Sequence, residues 1–307
     1  MEMFSLKEII FLETQQLFLT DMAVDSQERF GIADMRGKQF LIFSKDGKLI
    51  KTIGKEGLKP GEFQLPNAIT KDEKGNFYVT DHAVRRLSAF SSDGELTNSF
   101  IFTEYHTQPF TIRVAKELLF VGASNPATNT YVQVLSLRGE FLYSFCPKSA
   151  TSIDFDIMGV FFDLYKDSLF VVQIGDYKIW EYSLEGKLTR TFGEEPEYFV
   201  PPKMKHPGNC MEGKYEKWAH SWTQVIKICT SPKDKLIFLE LNMNDLVEEI
   251  KEKYVIDVWT IAGKFVGNFK TNDKLLCADE NGFVYFLREE KSEDSQKYFI
   301  VKYCMNI

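Results

Sequence analysis

The chain has 307 residues, 44% apolar and 14% aromatic, and its 44 acidic residues outnumber 37 basic ones for a formal net charge of −7. That balance argues against a nucleic-acid surface, because phosphate binding needs a basic field. No stretch approaches the ~18 apolar residues of a membrane span, and the length suits one large domain.

The first strand-like run, KEIIFLET at 7–14, has no hairpin partner of its own. A phrase then recurs: an apolar, aromatic run, a short turn, a second apolar run, Asp-Gly or its equivalent, and a third run ending near Phe. It reads RFGIADMRGKQFLIFSKDGKLIKTIG at 29–54, NFYVTDHAVRRLSAFSSDGELTNSF at 76–100, ELLFVGASNPATNTYVQVLSLRGEFLYSF at 117–145 and SLFVVQIGDYKIWEYSLEGKLTRTF at 168–192. A degenerate fifth copy occupies 235–269. Gly47, Gly94, Gly139 and Gly186 are spaced 47, 45 and 47 residues apart, the period of a four-stranded sheet repeated around an axis.

Runs of five to eight β-formers punctuated by Gly, Asp and Asn predict strands, and Asp46-Gly47 and Asp93-Gly94 are expected to supply the positive φ angles of tight hairpins. A sixth copy has only three strands, 274–280, 281–290 and 296–306. The run at 7–14 is expected to complete it. The fold class is therefore all-β: one six-bladed β-propeller over 1–307, with a loop insertion at 193–222 and a ring closed by an N-terminal strand in the last blade.

The stretch LKEIIFLET followed by FGIADMRGKQFLIFSKDGKLIKTIGKEGLKPGEFQLPNAI resembles the first blade of bacterial six-bladed propellers related to NHL repeats and TolB-like propellers, abundant as cell-envelope and lipoprotein-type proteins of Bacteroidetes. The family's strand-ending Asp corresponds to Asp34. Its glycine-rich segment corresponds to Gly54, Gly57, Pro60, Gly61, Glu62 and Phe63, with Lys59 where Gly is common. The resemblance is sharp over residues 6–100. It implies the fold and little chemistry.

MEMFSLKEII has an early Glu and no uninterrupted apolar region, so no secretory signal is read at Met1. Either the protein is cytoplasmic, or a signal is missing from this sequence and the protein belongs to the periplasm or cell surface, with room for a lipid anchor on the native N-terminus. The resemblance favours the second. Cys146, Cys210, Cys229, Cys277 and Cys304 are odd in number and lack CxxC spacing, so they are read as free thiols.

In such a blade the B-to-C loops and D-to-A crossovers share one face and the Asp-Gly turns the other. Insertions at 101–109, 122–130, 193–222 and 242–253 all fall on the first, where recognition is expected. The candidate ligand-binding residues are Tyr105, His106, Tyr177, Trp218, His220, Trp222, Asn244 and Arg85. The aromatic rings among them could stack on a sugar or hold a peptide, or could pin the long loop onto the propeller. Asp34 and Asp81 are read as acceptors for loop amides, and Arg85 or Arg86 as a partner of Asp81 or of the neighbouring blade.

The resemblance also reaches lactonases and lyases that hold calcium or another divalent ion in the central tunnel. That requires Glu, Asn and Asp at inner-strand starts, which here are mostly apolar, Asn67 and Gln224 excepted. No Ser-His-Asp order, GxSxG elbow or histidine pair at metal spacing appears, so no catalytic residue and no cofactor is assigned. The reading is a non-enzymatic scaffold for a glycan, peptide or protein partner; the alternative is a divalent-metal-dependent lactonase-like or lyase-like enzyme acting at the tunnel.

Overall fold

The computed structural model describes residues 3–14, 16–102, 108–149, 159–202, 217–218, 220–244, 246–247, 250–292 and 295–306. Strand β1 (Phe4–Phe11) precedes the first complete blade, β2 (Leu19–Val24), β3 (Phe30–Asp34), β4 (Gln39–Phe43) and β5 (Leu49–Ile53). The second blade is β6 (Pro66–Lys71), β7 (Phe77–Asp81), β8 (Arg86–Phe90) and β9 (Leu96–Ile101); the third is β10 (Thr111–Ala115), β11 (Leu118–Asn125), β12 (Thr130–Ser136) and β13 (Phe141–Pro147). The fourth is β14 (Val160–Tyr165), β15 (Ser168–Gln173), β16 (Asp176–Ser183) and β17 (Leu188–Phe192), and the fifth β18 (Gln224–Ser231), β19 (Leu236–Asn242), β20 (Tyr254–Thr260) and β21 (Phe265–Thr271). The last sheet has the order β1-β24-β23-β22, from β22 (Lys274–Ala278), β23 (Phe283–Lys291) and β24 (Gln296–Met305).

The chain is thus a six-bladed propeller closed by its N-terminal strand. The closing strand pairs antiparallel with β24 from Phe4 opposite Met305 to Phe11 opposite Phe299, three residues earlier than the run at 7–14 predicts. Beyond Phe11 the chain leaves the sheet to cross towards the first blade, Glu13 N–H donating to the Gly47 carbonyl at 3.0 Å. A Lys302–Glu28 ion pair of 3.1 Å ties the sixth blade to the first.

Middle strands are buried on both faces, as in β3 and β7, whereas outer strands such as β5 and β9 keep one side in water. That pattern follows from blades stacked face to face. Core clusters accordingly bridge blades: Ala33, Phe40, Phe77 and Phe90 join the first to the second, and Phe170, Ile179, Leu239 and Trp259 the fourth to the fifth.

The Asp-Gly turns differ from expectation in one respect: Gly47 and Gly94 have φ of +79° and +77°, but their aspartates do not share positive φ. Each turn is closed by the glycine N–H donating to the carbonyl three residues before, Ser44 at 2.9 Å and Ser91 at 2.8 Å, with the glycine left-handed and a bulge in the flanking pair. A hydroxyl three residues before the glycine fastens the turn. Ser44, Ser91, Ser136, Ser183 and Thr260 each accept the N–H of the residue after the glycine, at 3.0–3.4 Å.

The opposite ends of the blades are held by polar residues closing the B strands. Asp34 accepts the Phe18 N–H at 3.0 Å; Asp81 accepts Gln64 N–H at 2.6 Å and Ala83 N–H at 3.0 Å. Gln173 plays the same part for the Ser149 N–H at 2.9 Å. These side chains fix the crossovers on the face opposite the Asp-Gly turns. Arg86 is buried and donates to the Lys59 carbonyl at 2.7 Å, joining the first crossover to the second blade.

Candidate functional site

At the end of the insertion after β17, two tryptophans are buried together. Trp218 and Trp222 are each 1% exposed, with ring centroids 5.4 Å apart. The Thr223 N–H donates to the Val200 carbonyl at 2.8 Å and the Asn244 side-chain amide to the Trp222 carbonyl at 3.1 Å. The two tryptophans are therefore buried against each other and are not an exposed stacking platform.

Tyr177, Trp222 and Asn244 lie on this side of the propeller, with Tyr177 packed on Phe199 at 5.4 Å. His220 is exposed beside the tryptophans. Arg85 is exposed in the second blade's B-to-C loop and is not part of that group. Tyr105 and His106 lie outside the described residues.

A cleft of about 770 Å³ opens between the fourth and fifth blades, lined by Tyr177, Phe192, Trp259 and Phe265 and rimmed by Lys178, Glu194 and Glu195. Phe192 and Trp259 stand 5.9 Å apart, Trp259 and Phe265 5.1 Å. Arg190 locks the two walls together: its guanidinium pairs with Glu181, lies 4.9 Å over the Phe192 ring and donates to the Ala262 carbonyl at 2.6 Å. Part of the lining comes from the fifth blade's outer hairpin, Gly263 in its turn and Phe265 at the start of β21, and part from the crossover after β17, so the cleft sits on the rim of the disc.

Behind the cleft Asp257, fully buried on β20, accepts hydroxyl bonds from Tyr177 and from Tyr198, the latter at 2.5 Å. The Asn268 amide donates to the Tyr198 hydroxyl at 3.0 Å. Burial pushes the Asp257 carboxyl up to about 6, against the two tyrosine bonds that favour its charged form. Burial and the adjacent carboxylate push both tyrosines well above their usual range. This triad holds Tyr177 rigidly at the cleft floor.

The inner strands carry ion pairs across the tunnel and between neighbouring blades. Asp21 on β2 pairs with Lys227 on β18 at 2.5 Å, and Asp163 on β14 with Arg113 on β10 at 2.5 Å. Asn67 donates to the Pro109 carbonyl at 2.6 Å. Among the described residues no group of three His, Cys, Asp or Glu side chains is arranged to hold a metal ion. Cys146, Cys229 and Cys277 are buried free thiols and Cys304 a half-buried one; Cys210 lies outside the described residues.

Sequence reasoning missed Asp257, Trp259 and Phe265. One signal was present, an aspartate inside the otherwise apolar strand YVIDVWT at 254–260. An acid there must be buried with donors supplied by other segments.

Residues 1–148 match the family model DUF5128, described as a 6-bladed beta-propeller. No curated protein matches the chain. Among solved structures, a DUF4221-family protein of Bacteroides vulgatus is 12% identical, with 98% of each chain covered and a TM-score of 0.68. A Bacteroides fragilis protein described as exported is 11% identical over 99% of this chain and 96% of its own, also at 0.68. Virginiamycin B lyase from Staphylococcus aureus is 14% identical over 99% and 89%, at 0.57. At these identities the likeness shows the fold, which hosts both binding proteins and enzymes.

Proposed function

We propose that this propeller is a non-enzymatic binding scaffold of the bacterial cell envelope that receives a peptide segment of a partner protein in the cleft between its fourth and fifth blades. The observation that carries the reading is the cleft itself: aromatic walls held by Arg190 and the Asp257 triad, with Glu194 and Glu195 at the mouth. Such a site suits an apolar anchor flanked by Lys or Arg, the anchor filling the aromatic slot and the cation meeting the glutamates. The envelope setting rests on the likeness to the exported Bacteroides fragilis protein.

The test is a peptide-display selection run beside a glycan array. Enrichment of peptides with an aromatic or aliphatic anchor next to a basic residue is expected, with affinity falling at least tenfold in Phe265→Ala and several-fold in the Glu194→Gln, Glu195→Gln double variant. Phe265 is 42% exposed, so its truncation should leave the fold intact. Glycan binding without peptide binding, or peptide binding indifferent to Phe265→Ala, would overturn the proposal.

A further inference from the structure

Where the ring closes, the first and sixth blades enclose a polar pocket of about 130 Å³. Ile10 on the closing strand, Tyr285 on β23 and Lys302 on β24 form its sixth-blade wall; Glu28 and Phe30 form the wall of the first blade. Ile10, Phe30 and Tyr285 are buried, the last two edge to face with ring centroids 5.9 Å apart, and the Tyr285 hydroxyl is spent on Asp279 at 2.8 Å. The polar groups of the interior are therefore the Lys302 ammonium and the Glu28 carboxylate, 3.1 Å apart. Lys302 is buried, and its ammonium is held 4.0 Å over the Phe283 ring. The rim is exposed and carries Glu8, Lys45 and Asp46.

Glu28 occupies a position that disfavours a side chain. It lies in the turn between β2 and β3, where its N–H donates to the Asp25 carbonyl at 3.0 Å and its φ is +59°. The same turn in the second and sixth blades uses glycine there: Gly75 donates to Asp72 and Gly282 to Asp279, at φ of +80° and +84°. A glutamate held in the left-handed region, where glycine serves in other blades of the same chain, points to a site that uses its carboxylate.

A lone anion drawn to Lys302 would meet the Glu28 carboxylate beside it, and a lone cation drawn to Glu28 would meet the Lys302 ammonium. A molecule with both charges on neighbouring groups satisfies the two together, lying antiparallel to the ion pair so that each charge faces its opposite. We propose that this pocket binds a small α-amino acid as its zwitterion, with the carboxylate on Lys302, the ammonium on Glu28 and the side chain against Ile10 and Phe30. Both contacts are charge-assisted hydrogen bonds, for which the ammonium of Lys302 has three donors and the carboxylate of Glu28 two acceptor oxygens. The volume, that of about four waters at ~30 Å³ each in the liquid, limits the amino acid's side chain to a few atoms. Because the walls belong to the first and last blades, the bound molecule fastens the ring at its closure.

The experiment measures binding of glycine and L-alanine by calorimetry and thermal shift at pH 7, beside acetate and methylammonium, which each carry one of the two charges, and L-tryptophan, which exceeds the volume. Saturable binding of glycine or L-alanine is expected, at least tenfold tighter than that of the other three. Lys302→Met should weaken it at least tenfold. Glu28→Gln, which keeps an acceptor for Lys302 but removes the negative charge, should do the same while tightening acetate several-fold. Phe265→Ala should leave amino-acid binding unchanged; its loss there would put the ligand in the rim cleft and overturn the proposal. If Lys302→Met fails to fold, Glu28→Gln decides: amino-acid binding that is unchanged in that variant overturns the proposal. Absence of saturable binding by both amino acids, or acetate, methylammonium or L-tryptophan binding as tightly as they do, overturns it as well.

Discussion

Gly139 at the outer turn of the third blade lies against the ring of Phe100 in the second blade's last strand, so close that a Cβ on the glycine would stand 2.5 Å from the ring. The contact recurs around the disc. Gly47 meets Phe11, Gly94 meets Ile53, Gly186 meets Phe145 and Gly263 meets Phe192. The end of one blade's outer strand is thus the seat for the next blade's turn, a Phe ring at Gly139, Gly186 and Gly263, Ile53 at Gly94 and the Phe11 backbone at Gly47, and the repeat encodes the interface between blades as well as the hairpin.

Replacing Gly139 by Ala is expected to destabilise the protein by about 1–3 kcal/mol, combining the strain of a side chain at φ +89° with displacement of Phe100. Gly75→Ala shares the first cost, at φ +80°, but meets nothing nearer than Ser92 Cβ at 3.7 Å. Urea titrations of both variants, and of Gly139→Ala combined with Phe100→Ala, separate the two terms. A Gly139→Ala loss no larger than that of Gly75→Ala would remove the packing argument.

The closing strand should behave as an ordinary, detachable blade strand. Ile10 is 4% exposed and Ile9 46%, so Ile10→Ala should lose about 2–4 kcal/mol and Ile9→Ala well under 1 kcal/mol. A chain lacking residues 1–12 should melt markedly lower and regain stability when that peptide is added in trans. Equal losses at Ile9 and Ile10 would mean that the register is misplaced.

Blade count, closure and the identity of inner strands were legible because strand periodicity and turn glycines are local signals repeated at a fixed spacing. The Ser or Thr three residues before each glycine was equally present in SKDGK, SSDGE, SLRGE, SLEGK and TIAGK. The candidate site was much less legible. Its cleft joins Tyr177, Phe192 and Trp259 from two blades, and whether an aromatic ring faces a ligand or the core depends on neighbours that sequence spacing does not reveal. Trp218 and Trp222 illustrate the point: exposed-loop composition, core position.

Those two tryptophans should therefore report on stability. Trp218→Ala or Trp222→Ala is expected to cost about 3–5 kcal/mol where the insertion's core cannot collapse, with loss of the near-ultraviolet circular dichroism of the pair. Phe265→Ala, on the exposed cleft wall, should cost far less. A tryptophan variant as stable as the parent would show that the insertion does not depend on this core.

The thiols should be silent towards redox conditions. Burial pushes Cys146 up to about 12 and raises Cys229 and Cys277 far above the usual thiol range, which removes the reactive thiolate. Addition of a reductant should leave the melting temperature unchanged, and Cys146, Cys229 and Cys277 should react with a thiol reagent only upon unfolding. Rapid labelling of any of the three in the native protein would contradict their burial.

Asp257 gives the fold a specific pH dependence. Desolvation raises its carboxyl from an ordinary value near 3.8 to about 6 in the folded protein, so between these values the native state binds the proton more tightly than the unfolded chain. Its contribution is then fully present below the unfolded pKa and is lost as pH rises through about 6, a loss of roughly 3 kcal/mol if the whole shift is expressed. Glu240, raised to about 7 by burial, acts with the same sign over a window reaching higher. Urea midpoints measured from pH 4 to pH 8 should therefore fall less steeply in Asp257→Asn than in the parent, with the difference concentrated between pH 4 and 6. Comparing slopes cancels whatever constant cost the substitution imposes on Tyr177 and Tyr198, which keep an oxygen to donate to and meet a new amide donor. A parent and variant with parallel pH profiles would show that Asp257 is charged throughout and that its two tyrosine bonds outweigh its burial.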